Sequence, residues 1–259
     1  MASGSTLFSG VSAAGISVSA GISVSIALVT SLLATPAWSA NFEDTVAFND
    51  LYLSYGVTRS PTVTERTSSA SGTGSTYDWK DQPHSFGQRV AVGSLNGTGQ
   101  EWGGWVWGGE VAGSMHDITP DLYRVNGAEQ PNTSGATLRY RTVGLTLLGG
   151  YEYGVSKDTD EISSFLTVTP FIGGGGAWAD NELHYANGTY DRQRGAGWYI
   201  EYGVRVGFHI TEDHWILGVN LEYLFGTGKV SMDFPGGYTS DLTLDRLGLG
   251  GNVIAGYRF

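Results

Sequence analysis

The chain has 259 residues and a formal net charge of −11, from 14 Lys and Arg against 25 Asp and Glu. Nucleic-acid-binding proteins need a basic footprint, so this charge excludes nucleic acid as a partner. The chain contains no Cys, which excludes a disulfide scaffold and a thiolate metal site. The residue pattern predicts no cofactor and no metal.

Residues 1–40 are expected to be a signal peptide, and residues 41–259 the mature domain. The stretch GISVSIALVTSLLA is apolar enough for a signal-peptide core, and ATPAWSA supplies small residues for cleavage near Ser39 or Ala40. The segment is atypical because no Lys or Arg precedes Arg59. A retained membrane helix is the less favoured alternative, since the uninterrupted apolar run is shorter than the roughly 20 residues that a span needs.

From residue 45 onward, large apolar residues alternate with glycine or polar residues. In GWYIEYGVRVGFHI (197–210), one face carries Trp198, Ile200 and Tyr202, and the other carries Glu201, Gly203 and Arg205. A period of two predicts a strand, because successive side chains point to opposite faces. Each such segment is long enough to cross a bilayer at a tilt. The segments are 45–58, 84–95, 101–116, 136–154, 164–178, 197–210, 214–227 and 242–259.

The connections between these segments alternate in length. Those near 96–100, 155–163 and 211–213 are short, and Asn96-Gly97 is expected to form a turn. Those at 59–83, 117–135, 179–196 and 228–241 are long and polar. This pattern predicts an all-β fold, an eight-stranded antiparallel up-and-down transmembrane β-barrel with short periplasmic turns and four long extracellular loops. A soluble barrel with an apolar interior is the alternative, but it does not explain why the charged residues share the glycine face.

The glycine face is expected to line the barrel interior. Eight strands leave an interior just wide enough for side chains to fill, and charges in such a space need partners. Two functions stay open: a structural plug of salt bridges, which is favoured, and the lining of a narrow pore. The predicted interior residues are Arg89, Glu110, Glu152, Glu201, Arg205, Asn220, Glu222, Arg246, Asn252 and Arg258.

Aromatic residues near both ends of the predicted strands are expected to form two interfacial girdles. Those at the short-turn ends are Tyr151, Tyr153, Phe208 and Trp215, and those at the long-loop ends are Tyr55, Trp178, Trp198, Tyr223 and Phe225. Val253, Ala255, Tyr257 and Phe259 alternate up to the last residue of the sequence. This ending looks like the C-terminal signal by which the assembly machinery recognises bacterial outer-membrane barrels.

With its eight alternating segments, the chain resembles the small eight-stranded outer-membrane proteins typified by OmpA, OmpX and the opacity-type proteins. The resemblance covers about residues 42–259 and implies an outer-membrane location in a Gram-negative bacterium. It implies a non-enzymatic protein that supports the membrane and interacts through its surface loops. A small porin or channel is the alternative, and a lipid A-modifying enzyme is the third.

The enzyme alternative is disfavoured by the histidines. His116 and His209 fall on the inward face, while His84, His184 and His214 lie in or beside loops. A deacylase-like site needs Ser, His and an acid near the lipid-facing surface, and no His and Ser are spaced two apart on an outward face.

The expected partners are outer-membrane lipid, the barrel assembly machinery and a surface ligand held by the loops, and the protein is expected to be a monomer. Lipopolysaccharide is expected near Arg139, Arg141 and Lys229, which would lie above the membrane. The aromatic residues of the long loops either bind a ligand or pack the loops together. The two interpretations stay open, with packing favoured.

Overall fold

The computed structural model describes residues 48–68, 74–80, 85–98, 103–131, 137–157, 162–184, 190–234 and 238–259. The predicted signal peptide lies outside these residues. The strands are β1 (Phe48–Arg59), β2 (Thr62–Ser68), β3 (Gly74–Lys80), β4 (Phe86–Gly97), β5 (Gly103–Ile118), β6 (Leu122–Val125), β7 (Ala128–Pro131), β8 (Thr137–Lys157), β9 (Ile162–His184), β10 (Tyr190–Glu212), β11 (Trp215–Phe234) and β12 (Tyr238–Arg258). Among them no helix is long and apolar enough to span a membrane.

Eight of these strands close into an antiparallel ring. The order is β1, β4, β5, β8, β9, β10, β11 and β12, and β12 pairs with β1 from Asp50↔Arg258 to Thr58↔Gly250. The predicted eight-stranded barrel is therefore confirmed. The connections 98–102, 158–161 and 213–214 lie at one end of the ring, here called the turn end. The opposite end is called the extension end.

The alternation in the sequence becomes an inside and an outside. Leu217, Leu221 and Leu249 on the outer face are 63–69% exposed, whereas Glu110, Glu201 and Glu222 on the inner face are 1–2% exposed. A soluble barrel would have the reverse arrangement, so that alternative is excluded. A closed ring leaves its backbone polar groups paired within the sheet, and its apolar outer belt is compatible with lipid.

The long connections contain more strand than the sequence pattern indicated. Segments predicted as loops, 179–196 and 228–241, are mostly the continuations of β9 to β12, which are joined by the short connections 185–189 and 235–237. The segment 59–83 contains β2 and β3, and the segment 117–135 contains the β6–β7 hairpin. The expectation of four long loops was wrong in this respect. Beyond the membrane belt the outward positions become polar, and apolar residues such as Val230, Met232 and Leu242 point inward, so the apolar face of the strands is reversed.

These additional strands build a second sheet region at the extension end. β2 pairs with β12 from Thr239↔Ser68 to Asp245↔Thr62, and β3, β6 and β7 follow it in order. An apolar core fills this region. It is formed by Val63, Trp79, Ile118, Leu138, Tyr140, Ala177, Ala179, Tyr199, Val230, Met232, Leu242 and Leu244, with Tyr77 packed against it. Trp79, Met232 and Tyr77 therefore pack the former loop segments together, as the favoured interpretation held.

The turn predicted at Asn96-Gly97 is not formed there. Asn96 and Gly97 lie inside β4, paired with Trp107 and Val106, so the turn expected there was wrong. Among the described residues, an Asn-Gly turn is formed by Asn126-Gly127, between β6 and β7, where φ is +49° and +92°. Two consecutive positive φ angles are what a two-residue hairpin turn requires, and Asn-Gly tolerates them best.

Candidate functional site

Six charged side chains meet in the middle of the barrel interior, and they are called the central network. They are three arginines and three glutamates, so their formal charges cancel: Arg89, Arg205, Arg246, Glu110, Glu201 and Glu222. Each is at least 93% buried. Alternation along the strands places them inside, because each falls on the same face as the glycines of its strand.

Arg205 is the most heavily paired member of the central network. Its Nη1 and Nη2 donate to the two oxygens of Glu110 at 2.5 and 3.0 Å, and its Nε donates to Glu222 at 2.8 Å. Glu222 is its direct register partner on β11, whereas Glu110 lies on β5, three strands away around the ring. Tyr52 donates its hydroxyl to Glu110 at 2.8 Å. This arrangement ties opposite parts of the wall together.

The other two arginines complete a crossing of the interior. Arg89 on β4 donates to Glu201 on β10 at 2.8 Å, and these strands are diametrically opposed in the ring. Arg246 donates to the second oxygen of Glu201 at 3.0 Å. Its Nη2 also donates to His116 Nε2 at 2.5 Å, which leaves the His116 Nδ1 proton directed at Ser60 Oγ, 3.2 Å away. The charged side chains thus span the full width of the lumen.

A chain of amides connects the central network with the turn end. Asn252 donates to Glu222 at 2.9 Å and accepts from Asn220 at 2.9 Å, and Asn220 in turn contacts His209 Nε2 at 3.0 Å. All three side chains are buried. Neutral amides can donate and accept at once, so they continue the hydrogen bonding without adding charge.

A second charged group closes the interior near the turn end. Arg258 donates to both oxygens of Asp50 at 2.7 and 2.8 Å, and to Glu152 across the ring at 3.3 Å. Its guanidinium also lies 3.7 Å from the centre of the Phe48 ring. A bidentate pair that also stacks on an aromatic ring has one well-defined geometry.

Apolar side chains fill the space on both sides of the charges. The core of the extension end lies on one side, and a group near the turn end lies on the other, comprising Phe48, Tyr52, Leu95, Val106, Ile216 and Ile254. A cavity between the central network and the turn end, lined in part by Asp50, Arg205 and His209, has a volume of about 20 Å³. This is room for about one water molecule. The described interior is therefore packed rather than open.

Some interior residues were missing from the predicted set. Asp50, Tyr52 and His116 are partners of the predicted charges, and the parity of β1 and β5 already placed them inside. Glu65 is different, because it lies in a segment predicted as a loop. It is 8% exposed and accepts hydrogen bonds from the Trp79 indole at 3.0 Å and from Ser240 at 2.7 Å. The polar alternation of TVTERTS was the signal that could have found it.

The predicted girdle aromatics all lie on the outer surface. Trp215 is 67% exposed near the turn end, and Trp178 and Trp198 are 47% and 45% exposed toward the extension end. Tyr257 contacts Trp215 and Phe259, with ring centres 5.5 and 4.9 Å away. Val253, Ala255 and Phe259 also face outward, which leaves the outer face of this part of β12 accessible.

Charged residues lie on the outer surface just beyond the girdle at the extension end. Arg141, Asp180, Glu182, Arg192 and Arg194 form a group, here called the rim cluster, on the adjacent strands β8, β9 and β10. Beside it, Arg139 donates to Asp117 at 2.8 Å, and this hydrogen bond raises the pKa of the Arg139 guanidinium. Lys229 lies apart on β11, exposed beside Arg66 and Asp241.

The comparisons with known proteins add little to this geometry. No family model and no curated protein matches the chain. Among solved structures, it is similar to the attachment invasion locus protein Ail of Yersinia pestis, with 9% identity, 82% and 99% of the two chains covered and a TM-score of 0.28. It is similar to outer membrane protein OprG from Pseudomonas aeruginosa, with 14% identity, 82% and 96% covered and a TM-score of 0.34.

A third similar structure belongs to an enzyme. This is the outer membrane protease OmpT from Escherichia coli, with 9% identity, 81% and 96% of the two chains covered and a TM-score of 0.39. Similarities this low leave the function of the present chain to be argued from its own residues.

Proposed function

We propose that this chain is a non-enzymatic outer-membrane β-barrel with a plugged lumen, which supports the membrane and presents a rigid surface outside the cell. One observation carries the proposal, namely the central network, in which Arg89 reaches Glu201 across the whole ring. In this arrangement the turn end faces the periplasm and the extension end faces the exterior. Short turns on one side and larger structure on the other are typical of such barrels.

The pairing and burial of the charged side chains favour a plugged lumen over a pore. A pore keeps its lining side chains hydrated, so that ions can exchange water for protein ligands as they pass. Here Glu110, Glu201 and Glu222 are each paired with at least one arginine and are nearly inaccessible to water. Apolar layers close the passage above and below them. An ion would have to break buried salt bridges to move through.

The non-enzymatic assignment is supported by the histidines of the described residues. His116 and His209 are buried in the interior, where no lipid reaches them. His214 is exposed at the turn end, and its ring lies 5.3 Å from that of Tyr257. None of these three has the outward Ser and acid partners that acyl transfer requires. Mass spectra of lipid A from cells with and without the gene should be identical.

The experiment that tests the plug is current measurement across a planar bilayer. The protein is refolded, its insertion is verified by heat-modifiable migration in gel electrophoresis, and a general porin serves as the positive control. We expect no stable conductance steps from the folded barrel. Reproducible steps that scale with the amount of inserted protein would overturn the plug and make Glu201, Arg205 and Glu222 the lining of a pore.

A further inference from the structure

We propose that the rim cluster binds a phosphate group of a glycolipid in the outer leaflet, of the lipid A type. The inference rests on the proposed function, because it requires the extension end to face the outside of an outer membrane. It assigns the site to one wall of the barrel, formed by β8, β9 and β10, and not to the whole circumference.

The first support is the shortage of acceptors within the rim cluster. Asp180 is approached by Arg194 at 3.0 Å, Arg192 at 3.3 Å and Arg141 at 3.6 Å. Arg192 also lies 3.6 Å from Glu182. Three guanidiniums carry 15 N–H donors in total, at about five each, whereas two carboxylates offer about eight acceptor positions. Many donors are therefore left for an external oxyanion, and Arg141 and Arg194 are 46% and 66% exposed at their side chains.

The second support is the local sign of the charge. The rim cluster has three arginines against two carboxylates, and so carries a formal charge of +1 in a chain whose net charge is −11. The outward charged residues of β11, β12 and β2 toward the extension end sum to −1, from two cations against three anions: Arg66, Lys229, Asp233, Asp241 and Asp245. A phosphate near the surface is thus attracted to this wall in particular, and the proposal places Lys229 outside the site.

The third support is the height of the rim cluster. Asp180 is the next outward residue after Trp178 on β9, and Arg194 is two outward positions from Trp198 on β10. Girdle tryptophans lie at the level of the lipid headgroups. Arginine is well suited to phosphate at this level, because its planar fork donates two parallel hydrogen bonds.

The surface directly below the rim cluster is apolar and offers contact to an acyl chain. The Trp178 ring covers the outward position Gly176, because a Cβ added there would lie 2.9 Å from the ring. The neighbouring strands contribute Val143 and Leu145 on one side and Trp198 and Ile200 on the other. A phosphorylated lipid can therefore place its headgroup on the arginines and its tail against this apolar surface.

The test compares two double variants that each remove two positive charges from the outer surface toward the extension end. One is Arg141→Gln with Arg194→Gln, and the matched control is Arg66→Gln with Lys229→Gln. Refolded full-length protein is incubated with lipid A in detergent, and retained lipid is quantified by native mass spectrometry. Each basic residue near a membrane surface contributes several-fold to binding of anionic lipid. We expect roughly 10-fold weaker retention for the first variant and less than two-fold for the control.

Further arms distinguish the source of the oxyanion. The unmodified protein should retain dephosphorylated lipid A only weakly. Its retention should equal that of intact lipid A by the Arg141/Arg194 variant. Inorganic phosphate at millimolar concentration should compete only weakly, because it lacks the acyl chains. Equal retention of dephosphorylated lipid A, or equal losses in both double variants, would overturn the proposal. Single-channel current is recorded on the same samples, so a failed plug and a failed lipid site give separate results.

Discussion

Replacement of Glu110 by Gln tests whether the interior is a dry plug. Glutamine keeps the shape of the side chain and removes its charge. The central network then contains three arginines and two glutamates, so it acquires a formal charge of +1. The amide oxygen can still accept from Tyr52 and from Arg205 Nη1, but the amide NH2 cannot accept from Arg205 Nη2, so the variant loses the charge and one hydrogen bond.

The magnitude follows from the contacts of Glu110. Its carboxylate lies 2.5 and 3.0 Å from Arg205 and 3.6 Å from Arg89. At an effective dielectric constant of about 20, unit charges about 4 Å apart attract by about 4 kcal/mol, and Glu110 has two such partners. Part of this is offset because the neutral amide is cheaper to desolvate. Breaking a buried pair by removing one partner costs about 3–5 kcal/mol, and that is the expected loss.

The assay is urea unfolding from lipid vesicles, followed by the fluorescence of the 8 tryptophans. A double-mutant cycle on Glu110 and Arg205 isolates their interaction, with an expected coupling of about 2–3 kcal/mol. The matched control is the cycle on Asp117 and Arg139, whose hydrogen bond is 2.8 Å long but whose side chains are 52% and 38% exposed. Exposed pairs typically contribute less than about 1 kcal/mol.

The refuting result is a coupling for Glu110 and Arg205 no larger than that of the control pair. Water would then screen both pairs equally, and the interior would be hydrated like a pore. A large coupling together with stable conductance would also contradict the reasoning, since it would show that ions pass a network that remains dry.

Three further predictions concern the turn, the chain end and the extension. Gly127→Val should destabilise the β6–β7 hairpin by about 1 kcal/mol, because φ at this position is +92°. Limited proteolysis should detect faster cleavage of this hairpin than in the control variant Gly149→Ala, where an added Cβ meets open space. Phe259→Ala should lower the amount of barrel assembled in cells, while the free energy of unfolding of the refolded protein stays within about 0.5 kcal/mol of the unmodified value. The control variant Phe86→Ala, at another exposed site, should assemble normally. Glu65→Leu removes the carboxylate that accepts from the Trp79 indole N–H and from the Ser240 hydroxyl, so amide exchange in β2 and β3 should accelerate by about one order of magnitude or more, and unchanged exchange would contradict this.

The membrane-facing part of the fold could be predicted from the sequence because lipid imposes a strict rule on it. Every outward residue in the belt must be apolar, so Trp198, Ile200 and Tyr202 reveal both the strand and its orientation. The same rule places Glu201 and Arg205 inside without any structural information. Which arginine binds which glutamate could not be predicted, since contacts such as Arg89 with Glu201 join opposite strands of the ring.

The strands at the extension end could not be predicted, because the rule that outward residues are apolar applies only as far as the lipid headgroups. From Ala179 to Glu182 both faces of β9 are polar or small, and the period of two is carried by residues such as Asp180 and Glu182, which also suit a loop. The misplaced turn has a related cause. Asn-Gly is a turn signal only where pairing ends, and the pairing of Asn96 with Trp107 continues through it.

The interior charges specify the barrel as well as filling it. Because side chains alternate, a slip of one residue in any strand exchanges its two faces. A one-residue slip of β10 would move Glu201 and Arg205 from their partners into lipid, where an arginine at the membrane centre costs about 2–4 kcal/mol. An apolar interior would impose no such penalty, since both faces would then suit lipid. Buried ion pairs add little net stability on their own. All six charged residues of the central network lie on the inward face of their strands. Only the native register therefore pairs all six charges and keeps every one of them out of the lipid.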